Sequence, residues 1–308
     1  MPPSESSPSE PYLPPLRIPV RTIGDRTIDF SRRVAIMAVV NRTPDSFYDQ
    51  GRTYAFDRAV DACFEAVALG ADWVDIGGAP FAPGEPIPVE EEVERVVPVV
   101  AALRAGSDVV ISVDTFDAEV ARHAIEAGAT VINDTTGLSD PRLVEVVAVS
   151  AATLVITHSL ARPRTPYPRP HYDDVAAEVA AFLRDRVDRA TAAGIPEERL
   201  IVDPGHDLNK NTLQSLELTR RLREIADLGL PTVAAVSNKD FIGETLDAPR
   251  SERLEGSLAA AVVSIVNGAR IIRMHDVRAS VAAARMTEAI LGLREPAYLK
   301  HNMGDVND

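Results

Sequence analysis

The sequence has little cysteine, few aromatic residues and no long apolar run. Among its 308 residues the single cysteine is Cys63, and aromatic residues make up 5%. One cysteine cannot form an intramolecular disulfide, and it excludes a zinc site built from several cysteines. No apolar run reaches the roughly 18 residues that a membrane span needs, and the N-terminus lacks a signal-peptide pattern. We therefore expect a cytoplasmic enzyme without a membrane partner.

Positive charge is also scarce. The chain carries 32 Lys and Arg residues against 46 Asp and Glu residues, which gives a formal net charge of −14. Because binding to nucleic-acid phosphates needs concentrated Lys and Arg, we expect no nucleic-acid partner. The apolar content of 45%, mostly Ala and Val, indicates a helix-rich α/β protein with a sizeable core.

Apolar strand-like runs alternate with amphipathic helical segments along the chain. Strand candidates are 34–40, 73–76, 109–113, 130–133, 153–157, 200–202, 232–236 and 269–273. Helical candidates lie near 55–69, 89–104, 117–127, 140–149, 172–193, 212–227, 251–267 and 277–292. Uninterrupted apolar strands between amphipathic helices indicate a parallel sheet covered on its outer face. Eight such units in about 265 residues predict a (β/α)8 TIM barrel.

The two ends of the chain differ from this repeating pattern. Residues 1–15 are rich in Pro and Ser and predict a disordered tail. Residues 16–30 alternate around Gly24-Asp25, which predicts an N-terminal β-hairpin. We expect a single domain over residues 16–295, followed by a short C-terminal tail at 296–308.

Polar residues stand where several predicted strands end. Lys239 follows the apolar run 231–236, and Asp114, Asn133 and Asp203 end three other strands. In a (β/α)8 barrel the C-terminal ends of the strands form the active site. Carboxylate and amide groups suit hydrogen bonds to a flat heterocycle with amide and amino edges. One site built from distant parts of the sequence is therefore predicted.

A second group of strand-end residues suits an anion. Asn41 follows the first barrel strand, and Arg273 and His275 stand at the end of the eighth. Basic and amide groups of this kind suit a diphosphate, with Asn41 helping to hold Mg²⁺. For Asp75 and Asp134, which also end strands, we expect structural roles as caps or salt bridges at the barrel mouth.

Seven short motifs follow one another along the chain: NRTPDSF, DIGG, ISVDT, INDTTG, DPG, SNKDFIG and RMHDV. In this order and spacing they resemble dihydropteroate synthase, and the resemblance covers residues 17–293. That family joins a pterin methyl diphosphate to p-aminobenzoate and releases diphosphate, as a (β/α)8 homodimer. The resemblance therefore implies a pterin diphosphate-like substrate, Mg²⁺ and a homodimer.

The resemblance also implies roles for individual residues. Those implied to bind the pterin are Asp114, Asn133, Asp203 and Lys239. Those implied to hold the diphosphate with Mg²⁺ are Asn41, Arg273 and His275. Asp45 would lie on a mobile loop that closes over the site and assists the amine. Because basic groups neutralise a departing diphosphate, the expected participants in catalysis are Asp45, Lys239, Arg273 and His275.

Three segments depart from the family pattern. Residues 77–84 read GGAPFAPG instead of GGESTRPG, residues 237–240 read SNKD instead of SRKS, and 206–210 read HDLNK instead of a glycine-rich run with a Phe. Losing an Arg removes roughly 1.5–3 kcal/mol per charged hydrogen bond to an anion. Asp240 would repel an acidic acceptor by about 3–4 kcal/mol at an effective dielectric near 20, and a Lys239–Asp240 ion pair would soften this repulsion. We therefore expect a retained pterin half, a rebuilt p-aminobenzoate half and weak or lost synthase activity.

Three other hypotheses remain open from the sequence. An active synthase would take its acceptor contacts from other side chains, such as Arg162, Arg164 and Arg169. A non-catalytic pterin-binding protein would bind ligand and form no product. A methyltetrahydrofolate-binding methyltransferase domain is disfavoured, because it needs neither Lys239 nor the group around Arg273.

Overall fold

In this computed structural model, which describes residues 12–41, 51–166 and 169–302, a hairpin precedes an alternating series of strands and helices. The strands are β1 Val20–Ile23, β2 Arg26–Asp29, β3 Ala35–Asn41, β4 Trp73–Gly77, β5 Val110–Asp114, β6 Val131–Asp134, β7 Thr153–Thr157, β8 Leu200–Asp203, β9 Val233–Ala234 and β10 Ile271–Met274. The helices are α1 Gly51–Ala68, α2 Val89–Gly106, α3 Ala118–Glu126, α4 Pro141–Ala148, α5 Val175–Ala192, α6 Thr212–Arg220, α7 Arg223–Ala226, α8 Asp240–Leu246, α9 Leu254–Val266 and α10 Val277–Ile290.

The strands from β3 to β10 form one parallel sheet. Their order is β8-β7-β6-β5-β4-β3-β10-β9, so strands adjacent in sequence are neighbours except β8 and β9, which stand at the two ends of the order. A parallel bridge between Val202 and Thr232 joins β8 to the residue that precedes β9. This bridge closes the sheet into a barrel. The predicted (β/α)8 TIM barrel is therefore confirmed.

The N-terminal hairpin closes one end of the barrel. β1 and β2 pair antiparallel around Gly24-Asp25, as the sequence predicted, and Gly24 has a φ of +59° that favours glycine. Ile23 and Phe30 are buried in one cluster with inward-facing apolar residues of the barrel strands, including Trp73. The hairpin thus seals the barrel interior at the N-terminal ends of the strands.

Alternation along the strands places polar side chains above this apolar layer. Side chains two residues apart on a strand share a face. Trp73, Val110, Val131 and Ile271 face the barrel interior in the hairpin cluster. The next inward positions on these strands, toward their C-terminal ends, are Asp75, Ser112, Asn133 and Arg273. The fold therefore puts charged groups inside the barrel at its C-terminal end.

The structure differs from the predicted elements mainly after β8. β9 spans two residues instead of the predicted 232–236, and the predicted helix 212–227 is interrupted at Arg221. α8 was missing from the predicted helices. Its first amides, on Asp240 and Phe241, donate to Oδ2 of Asp207 over 2.5 and 3.3 Å. A cap that comes from a residue 33 positions earlier is invisible to local sequence patterns.

The described structure begins before the predicted boundary at residue 16. Leu13 is buried, and the carbonyl of Pro14 accepts a 2.8 Å hydrogen bond from Nη2 of Arg270. Leu13 and Pro14 therefore pack on the barrel, whereas residues 1–11 of the predicted tail lie outside the described residues. Within the described ranges, no helix combines the length and apolarity that crossing a membrane requires.

Candidate functional site

Asp75 connects several residues at the C-terminal end of the barrel. Its Oδ1 accepts a hydrogen bond from Ser112 over 2.6 Å. Its Oδ2 accepts from Nδ2 of Asn133 over 3.3 Å and from Nε of Arg273 over 2.7 Å. Asp75 is fully buried, so its charge needs these partners. The salt bridge expected for Asp75 lies inside the candidate site and orients two of its residues.

Arg273 also contacts Asp114. Its Nη2 donates to Oδ2 of Asp114 over 3.0 Å, so the guanidinium bridges two carboxylates. Burial raises the pKa of Asp114, and the charge of Arg273 opposes that rise. The sequence assigned Arg273 to a diphosphate. In the structure this guanidinium binds the carboxylates on the side of the site predicted for the heterocycle.

Asp203 and Lys239 complete the cluster predicted from the sequence. Oδ1 of Asp203 accepts from the amide of Gly205 over 2.7 Å. Burial raises the pKa of Asp203, and this hydrogen bond and the charge of Lys239 oppose the rise. Burial lowers the pKa of Lys239, opposed by the negative charges of Asp207, Asp203 and Asp114. The residues predicted to bind the heterocycle therefore come together around one region of the barrel mouth.

Asp134 has the structural role expected for it. Its Oδ1 accepts hydrogen bonds from the amide and hydroxyl of Thr136, over 2.8 and 2.6 Å. Its Oδ2 accepts from the amide of Leu138 over 2.5 Å. The side chain is fully buried and fixes the turn that follows β6.

His275 stands beside the cluster as a neutral ring. Its backbone amide and its Nδ1 lie 3.2 and 2.9 Å from Oγ of Ser237. Burial and the nearby charge of Arg273 lower the pKa of His275 to about 4. At neutral pH this ring can form hydrogen bonds and adds no positive charge for an anion.

Asn41 lies at the end of β3, next to Asp114. A Cβ atom on Gly77 would lie 3.2 Å from Oδ1 of Asn41 and 3.7 Å from Cβ of Asp114. Glycine at 77 therefore allows these two side chains to approach the same point of the rim. Asp45, the predicted loop residue, lies outside the described residues.

The described oxygen and nitrogen donors fit Mg²⁺ only together with a phosphate-bearing ligand. Among the residues that the structure describes, no group of three or more His, Cys, Asp and Glu side chains could hold a metal ion. Mg²⁺ commonly keeps several waters and binds through one or two protein oxygens plus substrate phosphates. The amide oxygen of Asn41 fits that second arrangement, in which the metal arrives with a diphosphate.

The loop after β4, which departs from the family pattern, is held by Arg164 of the loop after β7. The amide of Arg164 donates to Phe81 over 3.2 Å, and the amide of Gly84 donates to Arg164 over 3.3 Å. The side-chain Nε and Nη1 donate to the carbonyls of Glu85 and Ala82 over 2.9 and 2.8 Å. We call this set of four hydrogen bonds the Arg164 clasp. It spans the ends of β5 and β6, which lie between β4 and β7 in the sheet.

The clasp bears on the hypothesis that Arg164 or Arg162 contacts an acceptor. The guanidinium of Arg164 already binds two backbone carbonyls. Nη2 of Arg162 lies 3.5 Å from the carbonyl of Ser139, at the limit of a hydrogen bond. Arg164 therefore serves the loop structure in this conformation.

In the loop after β9, the ion pair of Asp240 and the exposure of its side chain differ from what the sequence predicted. Asp240 forms its ion pair with Nη1 of Arg253, over 3.0 Å, so the expected Lys239–Asp240 pair is wrong. The Asp240 side chain is 82% exposed. Solvent and Arg253 screen its charge, and the repulsion of about 3–4 kcal/mol expected from the sequence is too large. Asn238 has a φ of 57°, which Asn tolerates better than most residues.

A buried lysine fixes the loop after β8, and sequence reasoning missed it. Nζ of Lys210 lies 2.9 Å from Nδ1 of His158 and donates to the carbonyls of Gly205 and Leu208 over 2.9 and 3.1 Å. Gly205 is the residue whose amide binds Asp203. The only available signal was the position of Lys210 shortly after the Asp-Pro-Gly motif.

Comparison with known proteins defines the class. The model of the family described as pterin binding enzyme matches residues 37–275. A protein of Mycobacterium tuberculosis named inactive dihydropteroate synthase 2 is 45% identical over 270 residues, which cover 86% of this chain and 85% of that protein. The dihydropteroate synthase of Escherichia coli is 40% identical over 261 residues, which cover 84% of this chain and 93% of that one.

A solved structure shows the same likeness. The dihydropteroate synthase of Xanthomonas albilineans with 4-aminobenzoic acid superposes with a TM-score of 0.82 at 39% identity, covering 88% of this chain and 98% of that one. The chain therefore belongs to the pterin binding enzyme family. Within it, the chain is a dihydropteroate synthase-like protein of the folate pathway, similar both to proteins named dihydropteroate synthase and to proteins named inactive dihydropteroate synthase 2.

Proposed function

We propose that this protein binds a pterin diphosphate-like ligand in the cytoplasm and has weak or no dihydropteroate synthase activity. The observation that carries the first part is the shared network of Asp114, Asn133 and Arg273 around Asp75. The carboxylates of Asp114 and Asp203 and the amide of Asn133 lie at the same end of the barrel. They offer hydrogen-bond acceptors and a donor to a heterocycle with amide and amino edges.

The same carboxylates suit the chemistry of diphosphate departure. When diphosphate leaves a pterin methylene, positive charge develops on that carbon. Fixed negative groups such as Asp114 and Asp203 stabilise such a charge in a site from which water is excluded. Lys239 supplies a cation on the same rim and would contact the pterin or the leaving group.

For the diphosphate we propose Asn41, Arg273 and His275, with Mg²⁺ carried in by the ligand. The amide oxygen of Asn41 would bind the metal, which would neutralise charge on the departing oxygens. His275 would act as a neutral hydrogen-bonding group, since burial lowers its pKa to about 4. Asp45 remains the proposed residue of a closing loop.

The residues on the side of the site that would receive p-aminobenzoate support weak or lost synthase activity. Where the family carries Ser, Thr and Arg after its second barrel strand, this chain has residues 79–84 in the Arg164 clasp. The usual Arg of the seventh loop is replaced by Asn238. Losing a guanidinium that binds a carboxylate costs roughly 1.5–3 kcal/mol per charged hydrogen bond, a factor of about 10 to 100 in affinity or rate.

Product formation tests this proposal. Purified protein is given pterin diphosphate, Mg²⁺ and p-aminobenzoate, and dihydropteroate is measured beside the Escherichia coli enzyme under the same conditions. We expect a rate at least about a hundredfold below that enzyme, as two lost contacts imply. Turnover at about 0.1–10 s⁻¹ would identify an ordinary synthase instead. Complementation of a strain that lacks the enzyme gives an independent answer.

We also propose a homodimer, which has support on one surface. Leu246 and Val263 are exposed beside a cavity of about 440 Å³ with mainly apolar lining from α6, α8 and α9. Exposed apolar patches of this kind often mark protein interfaces. Sedimentation equilibrium of the wild type and of Val263→Lys tests the idea. We expect a dimer for the wild type and a monomer for the variant, and an unchanged mass would assign the surface no such role.

A further inference from the structure

Glu92, on the first turn of α2, is a buried carboxylic acid with an unsatisfied oxygen. Glu92 is only 4% exposed. Within the described part of the chain, its buried Oε1 has no hydrogen-bond partner. Buried polar atoms are almost always paired, so an unpaired one indicates a neighbouring group that it can bind. None of the roles proposed so far uses Glu92.

Glu92 and Asp114 line the same small cavity. Its volume is about 20 Å³, and Thr115 and Thr135 add polar groups to its wall. The apolar part of the lining consists of Ala79, Phe81, Phe116 and Pro163. One water molecule needs roughly 10–15 Å³, whereas a cavity that binds benzene measures about 150 Å³. The cavity that both acids line therefore accommodates a water molecule and is too small for a ligand ring.

The Arg164 clasp holds the chain at two residues that line this cavity, Phe81 and Pro163. Phe81 accepts a hydrogen bond from the amide of Arg164, and Pro163 directly precedes Arg164 in the chain. The clasp thus holds the backbone at two apolar residues that line the cavity together with Glu92 and Asp114. The Asp114 side chain remains 22% exposed, so the cavity is only partly closed to solvent.

The charges around the two acids favour one negative charge between them. Burial raises the pKa of Glu92 to about 7; hydrogen bonding to Thr115 and the charge of Arg95 oppose that rise, and Asp117 adds to it. The charged groups that act on Asp114 are Arg273, Asp75, Glu92 and Asp134. Glu92 adds to the rise in the pKa of Asp114, because two carboxyl groups that line one cavity resist double ionisation and titrate as a pair.

We propose that Glu92 and Asp114 share one proton through a water molecule in this cavity, and that Glu92 keeps it when Asp114 binds a ligand. In this transfer the O–H bond of Asp114 breaks and its proton passes to the water. A proton of that water then forms the O–H bond at Oε1 of Glu92. The pair keeps a single negative charge throughout, and Asp114 becomes the carboxylate that accepts N–H groups. Glu92 is therefore a positioning residue, and the ligand part of this inference rests on the proposed pterin site.

The first test needs no ligand. Carbon-13 NMR of protein labelled at the glutamate carboxyl groups follows the titration of Glu92, whose signal is identified by its loss in Glu92→Gln. In the wild type the last ionisation of Glu92 must place a second negative charge beside Asp114. We expect that step at least one pH unit higher in the wild type than in Asp114→Asn. Equal titration in the two proteins would overturn the shared proton.

The second test adds 6-hydroxymethylpterin as a probe to the wild type. Because the bound probe fixes Asp114 in its ionised form, we expect the titration of Glu92 to move to higher pH. If the titration of Glu92 moves to lower pH, or does not move when the probe is bound, the role of Glu92 in binding is overturned. Failure of the probe to bind would contradict the proposed function, and the ligand-free comparison would still decide the inference. Glu126→Gln is the matched control, since Glu126 is exposed and pairs with Arg122 on α3, and it should leave both titrations unchanged.

Discussion

The guanidinium of Arg273 donates through Nε to Oδ2 of the fully buried Asp75, over 2.7 Å. The two residues come from β10 and β4, which are separated by β3 in the sheet. The same oxygen of Asp75 accepts from Asn133. One carboxylate, for which the sequence suggested only a structural role, therefore orients two residues of the proposed ligand site.

Asp75→Asn should destabilise the protein as well as weaken ligand binding. The substitution leaves Arg273 buried with Asp114 as its remaining carboxylate partner in the described structure. Removing one partner of a buried ion pair lowers the free energy of unfolding by roughly 3–5 kcal/mol. Because Arg273 keeps its pair with Asp114, we expect a loss near the lower value. Urea unfolding measures the change. Asp185→Asn, which removes an exposed pair with Arg186, should change the stability by less than about 1 kcal/mol.

Asp203→Asn should weaken binding of the pterin diphosphate while the fold remains intact. The asparagine side chain keeps an oxygen that can accept the hydrogen bond from the Gly205 amide, but it lacks the negative charge that Asp203 offers to the ligand. We expect a loss of at least about tenfold in affinity, the size of one charged hydrogen bond. Equilibrium dialysis measures the affinity, and circular dichroism confirms folding. An unchanged affinity would remove Asp203 from the ligand site.

His206→Phe should reduce the acid sensitivity of the fold. Burial lowers the pKa of His206 to about 3, and neither ring nitrogen has a hydrogen-bond partner in the described structure. Between pH 6.5 and about 3 the unfolded chain binds this proton and the folded chain does not. Stability is therefore lost as the pH falls through this window, by up to about 1.4 kcal/mol per pH unit.

Urea unfolding at several pH values between 4 and 7 checks this contribution. The slope of unfolding free energy against pH should be smaller in His206→Phe by up to about 1.4 kcal/mol per unit. His171→Phe, a change at a highly exposed ring, should keep the wild-type slope. Equal slopes for His206→Phe and the wild type would contradict a neutral buried His206.

Disrupting the Arg164 clasp should free the loop at residues 79–85. Arg164→Ala removes two side-chain hydrogen bonds, and Gly84→Ala places a Cβ against the guanidinium of Arg164. Each hydrogen bond contributes about 0.5–1.5 kcal/mol, so hydrogen exchange in this loop should accelerate by about tenfold or more. Arg162→Ala is the matched control and should exchange as the wild type does. Unchanged exchange in both clasp variants would show that the loop does not depend on Arg164.

Restoring the family residues tests the acceptor half. The triple change Ala82→Arg, Asn238→Arg and Asp240→Ser should raise dihydropteroate formation from p-aminobenzoate by about tenfold or more, because guanidinium groups return to the acceptor side. Asp240→Ser alone should have little effect, since Asp240 is exposed and paired with Arg253. No gain in the triple variant would place the defect elsewhere, with Asp207 as the next candidate.

The barrel and the cluster of site residues were predictable because both follow from repeated local patterns. Apolar strands ending in polar residues place Asp114, Asn133 and Asp203 at one end of the barrel, since parallel strands share that edge. The hairpin was readable from its Gly24-Asp25 turn. These features depend on neighbours in sequence or on a period of two.

What the sequence did not reveal depends on partners far apart in the chain. The cap of α8 by Asp207, the Arg253–Asp240 pair and the clasp of Arg164 on residues 81–85 are tertiary contacts. Arg273 was assigned to an anion because its motif suggested one, while its bonds to Asp75 and Asp114 required the register of the sheet. The buried Glu92 reads as an ordinary helix-start acid in sequence.

Calorimetric titration of the purified protein with the pterin diphosphate, with and without Mg²⁺, tests the central claim most directly. We expect saturable binding at one site per chain that is tighter with Mg²⁺. Absence of saturable heat in both conditions, with the Escherichia coli enzyme binding normally beside it, would contradict a retained pterin site.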